Sequence, residues 1–235
     1  MTGGTGNQGG AVARNLISKG FTVKVLTRNT NSPNALKLKN LNILLIKGDL
    51  DYEDTYREHL RDVYGIFSVQ TFGNGVDKEI SQGTKLATIA KELQVKHFLY
   101  SSVLGADLHS GVSHIDSKFT IERHVKQLGL PFTILRPSSL YENFLIPQVK
   151  KGIVKGKLVQ ATNRNTILQY VATDDIGKAA AKIFENNEMY IGRTIPLATE
   201  QLSTLEVAQI FSEVLGKTVE YKKLPALITL SLIHI

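Results

Sequence analysis

Residues 2–10 of the chain read TGGTGNQGG, and this segment is the strongest indication of the fold class. Its glycines recur at three-residue steps, and a helical segment follows directly. In such loops one glycine permits a tight turn, a second lets the backbone approach a pyrophosphate, and a third lets the helix pack closely on a sheet. The free amides and positive end of the helix then face the anion. A plain glycine-rich turn is the alternative. The residues assigned to this predicted dinucleotide-binding loop are Gly3, Thr5, Gly6, Asn7, Gln8 and Gly9.

Short β-branched runs alternate with amphipathic segments along the first 137 residues. Strands alternating with helices imply parallel pairing through crossover helices on both faces of a sheet. The sequence therefore predicts an α/β fold with a doubly wound, Rossmann-like parallel sheet. The predicted strands are Thr22–Thr27, Asn42–Lys47, Tyr64–Val69, His97–Ser101 and Phe132–Arg136. The predicted helices are Gly10–Lys19, Glu53–Leu60, Lys78–Leu93 and His114–Leu128.

The pattern loosens after residue 137, which predicts a dinucleotide-binding core over residues 1–137 and a smaller substrate-side lobe over residues 138–235, in part woven back into the sheet. A helix is expected over Asp174–Asn186, and Ser203 with Glu206 forms a capping box that opens a helix ending at Gly216. Both ends of the chain are unusual for this fold. No strand precedes Gly3, and the segment 227–235 is apolar without an obvious partner, so a missing first strand and a shortened C-terminus are expected.

Composition excludes several classes of function. The chain has 235 residues and contains no cysteine, so disulfides, thiolate metal sites and cysteine nucleophiles are ruled out. No apolar run is long enough for a membrane span, and no leader is recognised, which predicts a cytoplasmic protein without a membrane partner. A net charge of +7 comes from scattered lysines and arginines, so nucleic acid is not expected as a partner. The histidines show no metal-ligand spacing, and no metal is expected.

Arg28 predicts which dinucleotide binds. NAD-binding proteins usually carry an acidic residue at the end of the second strand, where it accepts a hydrogen bond from the ribose. This chain has Thr27-Arg28-Asn29 there, with no carboxylate before Asp49. A guanidinium can hold a 2′-phosphate through paired charged hydrogen bonds. We therefore predict NADP(H) rather than NAD(H); an ordinary exposed arginine is the alternative.

Polar residues follow the other predicted strands at the carboxyl edge, where such sheets bind ligands. Asp49 and Leu50 are placed beside the adenine, although a simple strand-to-helix turn accounts for them equally well. Phe72 either packs on the nicotinamide or fills core. The remaining cofactor-binding residues predicted at this edge are Gln70, Thr71 and Ser101.

His114 and Lys118 are four residues apart and share one helical face. Together with the 2–10 loop, Thr27-Arg28-Asn29, Gly48-Asp49 and Leu135-Arg136-Pro137 leading to Tyr141-Glu142-Asn143, they carry a resemblance. The chain resembles the NmrA-like family, an atypical branch of the short-chain dehydrogenase/reductase superfamily. The resemblance runs roughly from Thr2 to Leu224, and its short motifs are specific mainly through their order.

The resemblance implies roles for three positions. Lys118 would reach the nicotinamide ribose, and Tyr141 and Asn143 would line the pocket over the nicotinamide. Standard members of the superfamily place a proton-donating tyrosine four residues before the lysine, whereas His114 stands there in this chain. Lys118, His114 and Tyr141 are accordingly the candidate catalytic residues, with a helix-opening polar residue as the alternative for His114.

Two functions stay open at this point. One is an NADPH-dependent oxidoreductase that passes a hydride directly to a quinone or a small carbonyl compound. The other is a non-catalytic NADP(H) sensor whose bound state is read by a regulatory protein partner. A homodimer is a further open alternative. Sugar-nucleotide epimerase chemistry ranks last, because it normally needs the absent tyrosine.

Overall fold

The computed structural model describes residues 1–224, the side chain of Asn74 apart. The α-helices in this range are α1 (Asn7–Ser18), α2 (Pro33–Lys39), α3 (Val76–Glu92), α4 (Ser113–Gln127), α5 (Pro147–Val154), α6 (Thr173–Glu185), α7 (Asn187–Tyr190) and α8 (Thr204–Leu215). The strands are β1 (Lys24–Thr27), β2 (Leu44–Lys47), β3 (Gly65–Ser68), β4 (His97–Ser101), β5 (Phe132–Pro137), β6 (Ser139–Leu140), β7 (Lys157–Gln160), β8 (Ile167–Val171), β9 (Thr194–Leu197), β10 (Glu200–Ser203) and β11 (Glu220–Lys223). The apolar segment 227–235 lies outside the described residues.

The chain divides into two compact units. The first comprises Met1–Pro137 and Thr173–Leu197, and the second comprises Ser138–Ala172 and the residues from Ala198 onward. Residues 173–197 belong to the first unit, within the region that the sequence predicts to be in part woven back into the sheet. The cause is local: α6 packs on α1, where a Cβ at Gly177 would lie 2.7 Å from the Ala11 carbonyl oxygen, and β9 pairs with β5.

The first unit confirms the predicted doubly wound α/β fold. Strands β3, β4, β5 and β9 form one parallel sheet in that order, and β1 and β2 form a second parallel pair. Alternate residues of β4 point to opposite faces: Phe98 and Tyr100 join the core beneath α3 and α4, whereas the ring of His97 contacts Phe184 of α6. Helices thus cover both faces, as the alternation of strands and helices predicts.

Met1 and Thr2 occupy the place between β1 and β3 where the sequence predicts a missing strand. The Leu26 amide donates to the Met1 carbonyl, and the Thr2 amide donates to the Phe67 carbonyl, each at 3.0 Å. Among residues 1–224, only these two residues bridge the neighbouring strands. Below them, cavities of about 340 Å³ and about 30 Å³ lie between the flanking strands, and Lys24 borders both. The gap between β1 and β3 is therefore bridged by hydrogen bonds at one end only.

The second unit has its own small core. Strand β8 pairs with β6 in parallel and with β10 in antiparallel orientation, while β7 and β11 form a separate parallel pair. Helix α8 begins at the predicted capping box, in which Ser203 and Glu206 bond reciprocally, and it ends at Gly216 with φ +62°. Ile153, Leu158, Tyr170 and Val207 are among the buried residues that hold this unit together.

Two local predictions need correction. The segment 53–60 is two 3₁₀ turns rather than one helix, because the backbone breaks at Tyr56 (φ −139°), whose side chain is buried in the core. Helix α2 is absent from the prediction, although its Ser32-Pro33 start is a recognisable signal: the Ser32 hydroxyl accepts from the Ala35 amide. Within residues 1–224 no helix is long and apolar enough to cross a membrane.

Candidate functional site

The glycine loop is an open anion cradle. Gly3 has φ +64°, and a Cβ there would stand 2.5 Å from the Val69 side chain. A Cβ at Gly9 would stand 2.3 Å from the Gly3 carbonyl oxygen, so only glycine allows α1 to approach the loop this closely. Helix α1 starts at Asn7, directly after Gly6, with no side-chain cap and no acidic residue in its first turn. Its free amides and positive end are therefore available to an anion.

A cleft of about 350 Å³ opens beside this loop, within the first unit. That size falls in the range of small-molecule and cofactor sites. Seven of the residues predicted from the sequence line it: Gly3, Thr5, Arg28, Asp49, Leu50, Gln70 and Thr71. The sequence reasoning missed the remaining polar lining, which consists of Thr2, Thr27, Asn29, Ser32 and Gln82.

Arg28 lies at the edge of this cleft with its guanidinium exposed. Within residues 1–224 it makes no ion pair, so its charge is not neutralised by a neighbour. The loop around it is held from two sides: the Asn34 amide donates to the Thr5 carbonyl at 2.9 Å, and the Ser32 hydroxyl caps α2. Arg28 is thus a free cation at the end of β1, on the same cleft as the glycine loop.

Asp49 and Leu50 follow β2 and line the cleft, but Asp49 also builds a turn. Its amide donates to the Thr55 hydroxyl at 3.0 Å, and its carboxylate accepts from the Asp51 amide at 3.1 Å. Asp49 therefore forms the turn that the sequence allows, and its placement beside the adenine stays a prediction. Asp51 itself pairs with Lys78 at 2.5 Å, which places a charged pair at the start of α3.

Gln70 offers the cleft an unsatisfied acceptor. Its amide nitrogen donates to the Ser68 hydroxyl at 2.9 Å, which fixes the orientation of the side chain. Its carbonyl oxygen is buried and has no hydrogen-bond partner within the described part of the chain. Because an unpaired buried acceptor is costly, this oxygen marks a point where a bound molecule with a donor group would stabilise the site.

Lys118 is anchored by a carboxylate that the sequence reasoning missed. Its Nζ lies 2.7 Å from Oε1 of Glu79, which is completely buried, and the Ser117 hydroxyl donates to the other carboxylate oxygen at 2.6 Å. A signal for Glu79 was present: it shares one stripe of α3 with Gly83, Leu86 and Ala90. An acidic residue on an apolar helix face requires a buried partner.

His114 stacks on Phe72, with ring centroids 5.0 Å apart and an angle of 27° between the planes. The structure thus brings together two residues that the sequence placed separately. Burial, and then the nearby Lys118 ammonium, lower the pKa of His114 from its usual value. The imidazole is therefore neutral at neutral pH and is a poor source of a proton.

Ser101 is buried at the end of β4 and meets the first turn of α1. Its hydroxyl donates to Oε1 of Gln8 at 2.5 Å, so two residues predicted to bind the cofactor are joined directly. This contact ties the strand edge to the helix start. Neither residue lines the 350 Å³ cleft.

Tyr141 and Asn143 lie in the second unit, in a 3₁₀ turn over Tyr141–Leu145. The Tyr141 ring stacks on Tyr170, with centroids 5.2 Å apart, and its hydroxyl donates to the Glu200 carboxylate. Burial, followed by this hydrogen bond, raises the pKa of Tyr141 to about 12. The phenol therefore holds its proton tightly. Asn143 is exposed, and its carbonyl accepts from the Ile146 amide at 3.3 Å.

Three other histidines have structural partners. His97 is fully buried and bonds Thr133 at 2.8 Å, and His124 bonds Thr88 at 3.0 Å. His109 packs edge-on against Phe119. Among residues 1–224 no group of histidine and acidic side chains is arranged to hold a metal ion.

The parallel sheet, the crossover helices and the glycine cradle define a protein of the Rossmann type. The sequence model of the NmrA-like family matches residues 1–235, and the chain belongs to this family. An NmrA-like family domain-containing protein of Dictyostelium discoideum is 30% identical over 239 residues, covering 94% of this chain and 78% of the relative.

Two further relatives carry functional descriptions. The NmrA-like family domain-containing oxidoreductase malD of Malbranchea aurantiaca is 28% identical over 259 residues, covering 98% of this chain and 76% of the relative. A solved structure of NmrA, a negative transcriptional regulator in complex with NADP, is 25% identical with a TM-score of 0.81 and covers 94% of this chain and 72% of that one. The family thus includes an oxidoreductase and a regulator.

Proposed function

We propose that this protein binds NADP(H) and transfers a hydride from it to a quinone or a small carbonyl acceptor. The observation that carries the proposal is the cleft lined by Gly3 and Thr5, which lead into the uncapped start of α1, and by Arg28, which makes no ion pair within residues 1–224. A pyrophosphate and a 2′-phosphate are the two anionic groups of NADP, and the amides at the start of α1 and the Arg28 guanidinium would match them. The NADP-bound structure of the relative NmrA supports this assignment.

The residues present fit the cofactor. The amides at the start of α1 would hold the pyrophosphate, and Arg28 would hold the 2′-phosphate. Leu50 would border the adenine, and the unpaired oxygen of Gln70 would accept a hydrogen bond from a cofactor hydroxyl or amine. Lys118 would face the nicotinamide ribose, the role implied by its place in the family's motif.

The protonation states of His114 and Tyr141 favour a hydride acceptor that needs no strong acid from the protein. A bound reduced nicotinamide supplies a hydride equivalent. His114 is neutral near neutral pH, and Tyr141 keeps its proton. A quinone can take the hydride at a ring oxygen or carbon and then collect its proton from water, so this chemistry tolerates a weak protein acid. The relative described as an oxidoreductase supports the class of reaction.

A second function is favoured by the same absence of an activated acid. The protein would bind NADP(H) without turnover and present a surface that a regulatory protein reads. The relationship to the regulator NmrA supports this alternative. The two functions share the cofactor site and differ only in whether the hydride leaves.

The deciding experiment measures binding and turnover in one preparation. Calorimetry with NADPH tests the cofactor site, and loss of reduced-nicotinamide absorbance against a panel of quinones tests transfer. Binding with turnover supports the oxidoreductase. Tight binding without turnover on any acceptor, together with cofactor-dependent protection of residues 70–76 from protease, supports the sensor. Absence of NADPH binding overturns both.

A further inference from the structure

Glu79 and Lys118 form a buried ion pair that the proposed chemistry does not explain by itself. Glu79 has no exposed surface, and the Lys118 side chain is 15% exposed. Removing two charges from water is costly, and a single partner rarely compensates for it. The pair instead has a second support: Ser117 donates to the carboxylate oxygen that Lys118 leaves free. Both oxygens of Glu79 are therefore occupied and oriented.

We propose that Glu79 is the positioning residue for Lys118, and that it fixes the ammonium in the orientation that meets the nicotinamide ribose. This inference rests on the proposed function. Glu79 itself touches neither cofactor nor acceptor. Its effect passes through Lys118, whose amine it restrains from the neighbouring helix α3.

The packing of α3 on α4 sets the distance from the Glu79 carboxylate to Ser117 and Lys118. One turn after Glu79, a Cβ at Gly83 would lie 2.7 Å from Cδ1 of Ile121. Ile121 in turn stands one turn after Ser117 on α4. The glycine lets the two helices approach, and this approach brings the carboxylate within hydrogen-bond distance of both residues on α4.

The groups around the pair leave its charges matched. Tyr100 is buried, and burial followed by the negative charge of Glu79 raises the pKa of this phenol well above its usual value, so it remains neutral. His114 is neutral near neutral pH because burial and Lys118 lower its pKa. The pair thus places one anion and one cation beside these two neutral rings, and loss of Glu79 removes the carboxylate that contacts Lys118.

A double-mutant cycle tests the proposal. We expect Glu79→Gln to weaken NADPH binding about tenfold in the wild-type background and by less than about twofold in a Lys118→Ala background, since interacting residues are non-additive. Glu122→Gln is the matched control, because Glu122 is equally buried but pairs with Arg136 at 2.7 Å and 2.9 Å. It should lower Tm while leaving the NADPH affinity within about twofold in both backgrounds.

The rate of Lys118 acylation, measured by mass spectrometry, reports how firmly Glu79 holds the amine when no cofactor is bound. The rate should rise in Glu79→Gln and stay unchanged in Glu122→Gln. Where Glu79→Gln does not fold, Ser117→Ala replaces it, with an expected loss of affinity of about threefold that also vanishes without Lys118. An equal effect of Glu79→Gln in both backgrounds, or an unchanged acylation rate, overturns the proposal. Wild-type protein that binds no NADPH overturns the proposed function instead.

Discussion

The glycine loop at residues 2–10 is shaped by its backbone, whereas the cluster around Lys118 is shaped by side-chain charges. At the loop, the positions that matter are those where a Cβ would collide, such as Gly9 with the Gly3 carbonyl oxygen. At the cluster, Gly83 also lets α3 approach α4, but the geometry of the ion pair depends on which oxygen of Glu79 meets which donor. The two regions therefore respond to different kinds of substitution.

This difference separates two ways of weakening cofactor binding. In the proposed function the cradle would bind phosphate through amides that every residue carries, so a change of side chain that adds no bulk should have little effect on it. The Lys118 cluster acts through side chains rather than through backbone groups. Loss of the Glu79 carboxylate leaves the largely buried Lys118 cation without that partner. Substitutions at the loop should weaken binding through the phosphate contacts, and substitutions at the cluster should weaken it through the position of Lys118.

The largest effect should come from the closest backbone approach. In Gly9→Ala the new Cβ would stand 2.3 Å from the Gly3 carbonyl oxygen, so the loop must move. Overpacking of this kind costs about 1–3 kcal/mol, which corresponds to a loss of NADPH affinity of about five- to 150-fold. Gly10→Ala is the matched control, because its Cβ would lie 3.2 Å from the Gly4 carbonyl oxygen. Calorimetry should rank Gly9→Ala well below Gly10→Ala; equal affinities would contradict a backbone-shaped cradle.

The next largest effect should come from the gap between β1 and β3, beside the glycine loop. Met1 and Thr2 bridge β1 and β3 at one end, and the cavity of about 340 Å³ lies beyond them. An extended Val-Ile-Val-Ile segment added before Met1 should fill this space and pair with both strands. We expect a gain of about 2 kcal/mol, or roughly 4–8 °C in Tm for a chain of this size. NADPH affinity should also increase.

A Gly-Ser segment of equal length is the control for that addition, since it offers the same backbone without apolar side chains. Thermal unfolding followed by circular dichroism measures both proteins. Equal melting temperatures for the two additions would show that side-chain burial between the strands contributes nothing.

Arg28 should give a smaller and selective effect. Arg28→Asp replaces a free cation with an anion, which would repel a 2′-phosphate and accept from a ribose hydroxyl. We expect NADPH affinity to fall about tenfold and NADH affinity to rise by a smaller factor, because exposed charges are screened by solvent. Dissociation constants measured by calorimetry for both cofactors test this. Arg14→Asp, on α1, controls for the change in net charge. An unchanged ratio of the NADPH and NADH dissociation constants in Arg28→Asp would contradict the predicted preference for NADP(H).

Short sequence patterns predicted the elements whose structure depends on residues close together in the chain. The glycine spacing predicted the loop that leads into α1, since only glycine avoids the collisions at positions 3 and 9, although the helix begins at Asn7 rather than at the predicted Gly10. The β-branched runs gave β1 to β5 with small errors at the ends, because a short apolar run between turns has few alternatives. The capping box at Ser203 predicted α8 for the same reason: both of its hydrogen bonds lie within four residues.

Contacts between distant residues were not predictable in this way. Glu79 and Lys118 are separated by 39 positions, and their pairing follows from how α3 packs on α4. The segment 53–60 has a helical pattern but breaks because the core takes the Tyr56 side chain. The contact of Tyr141 with Glu200 depends on the fold of the second unit. Sequence thus located the cradle, whereas the ion pair that anchors Lys118 required the structure.

The smallest expected effect belongs to His114, and it separates the two regions most sharply. Burial and Lys118 lower the pKa of His114, so the imidazolium fraction is small at neutral pH and only decreases as pH rises. If His114 supplied the proton, turnover would fall with rising pH, and its removal would cost about a hundredfold or more. We expect His114→Gln to keep quinone reduction within about threefold of wild type, with a flat profile from about pH 6.5 to 8 for both proteins. Steady-state rates at saturating NADPH measure this. A hundredfold loss in His114→Gln would make the histidine the acid and would place the chemistry, as well as the orientation of the cofactor, on the side-chain cluster.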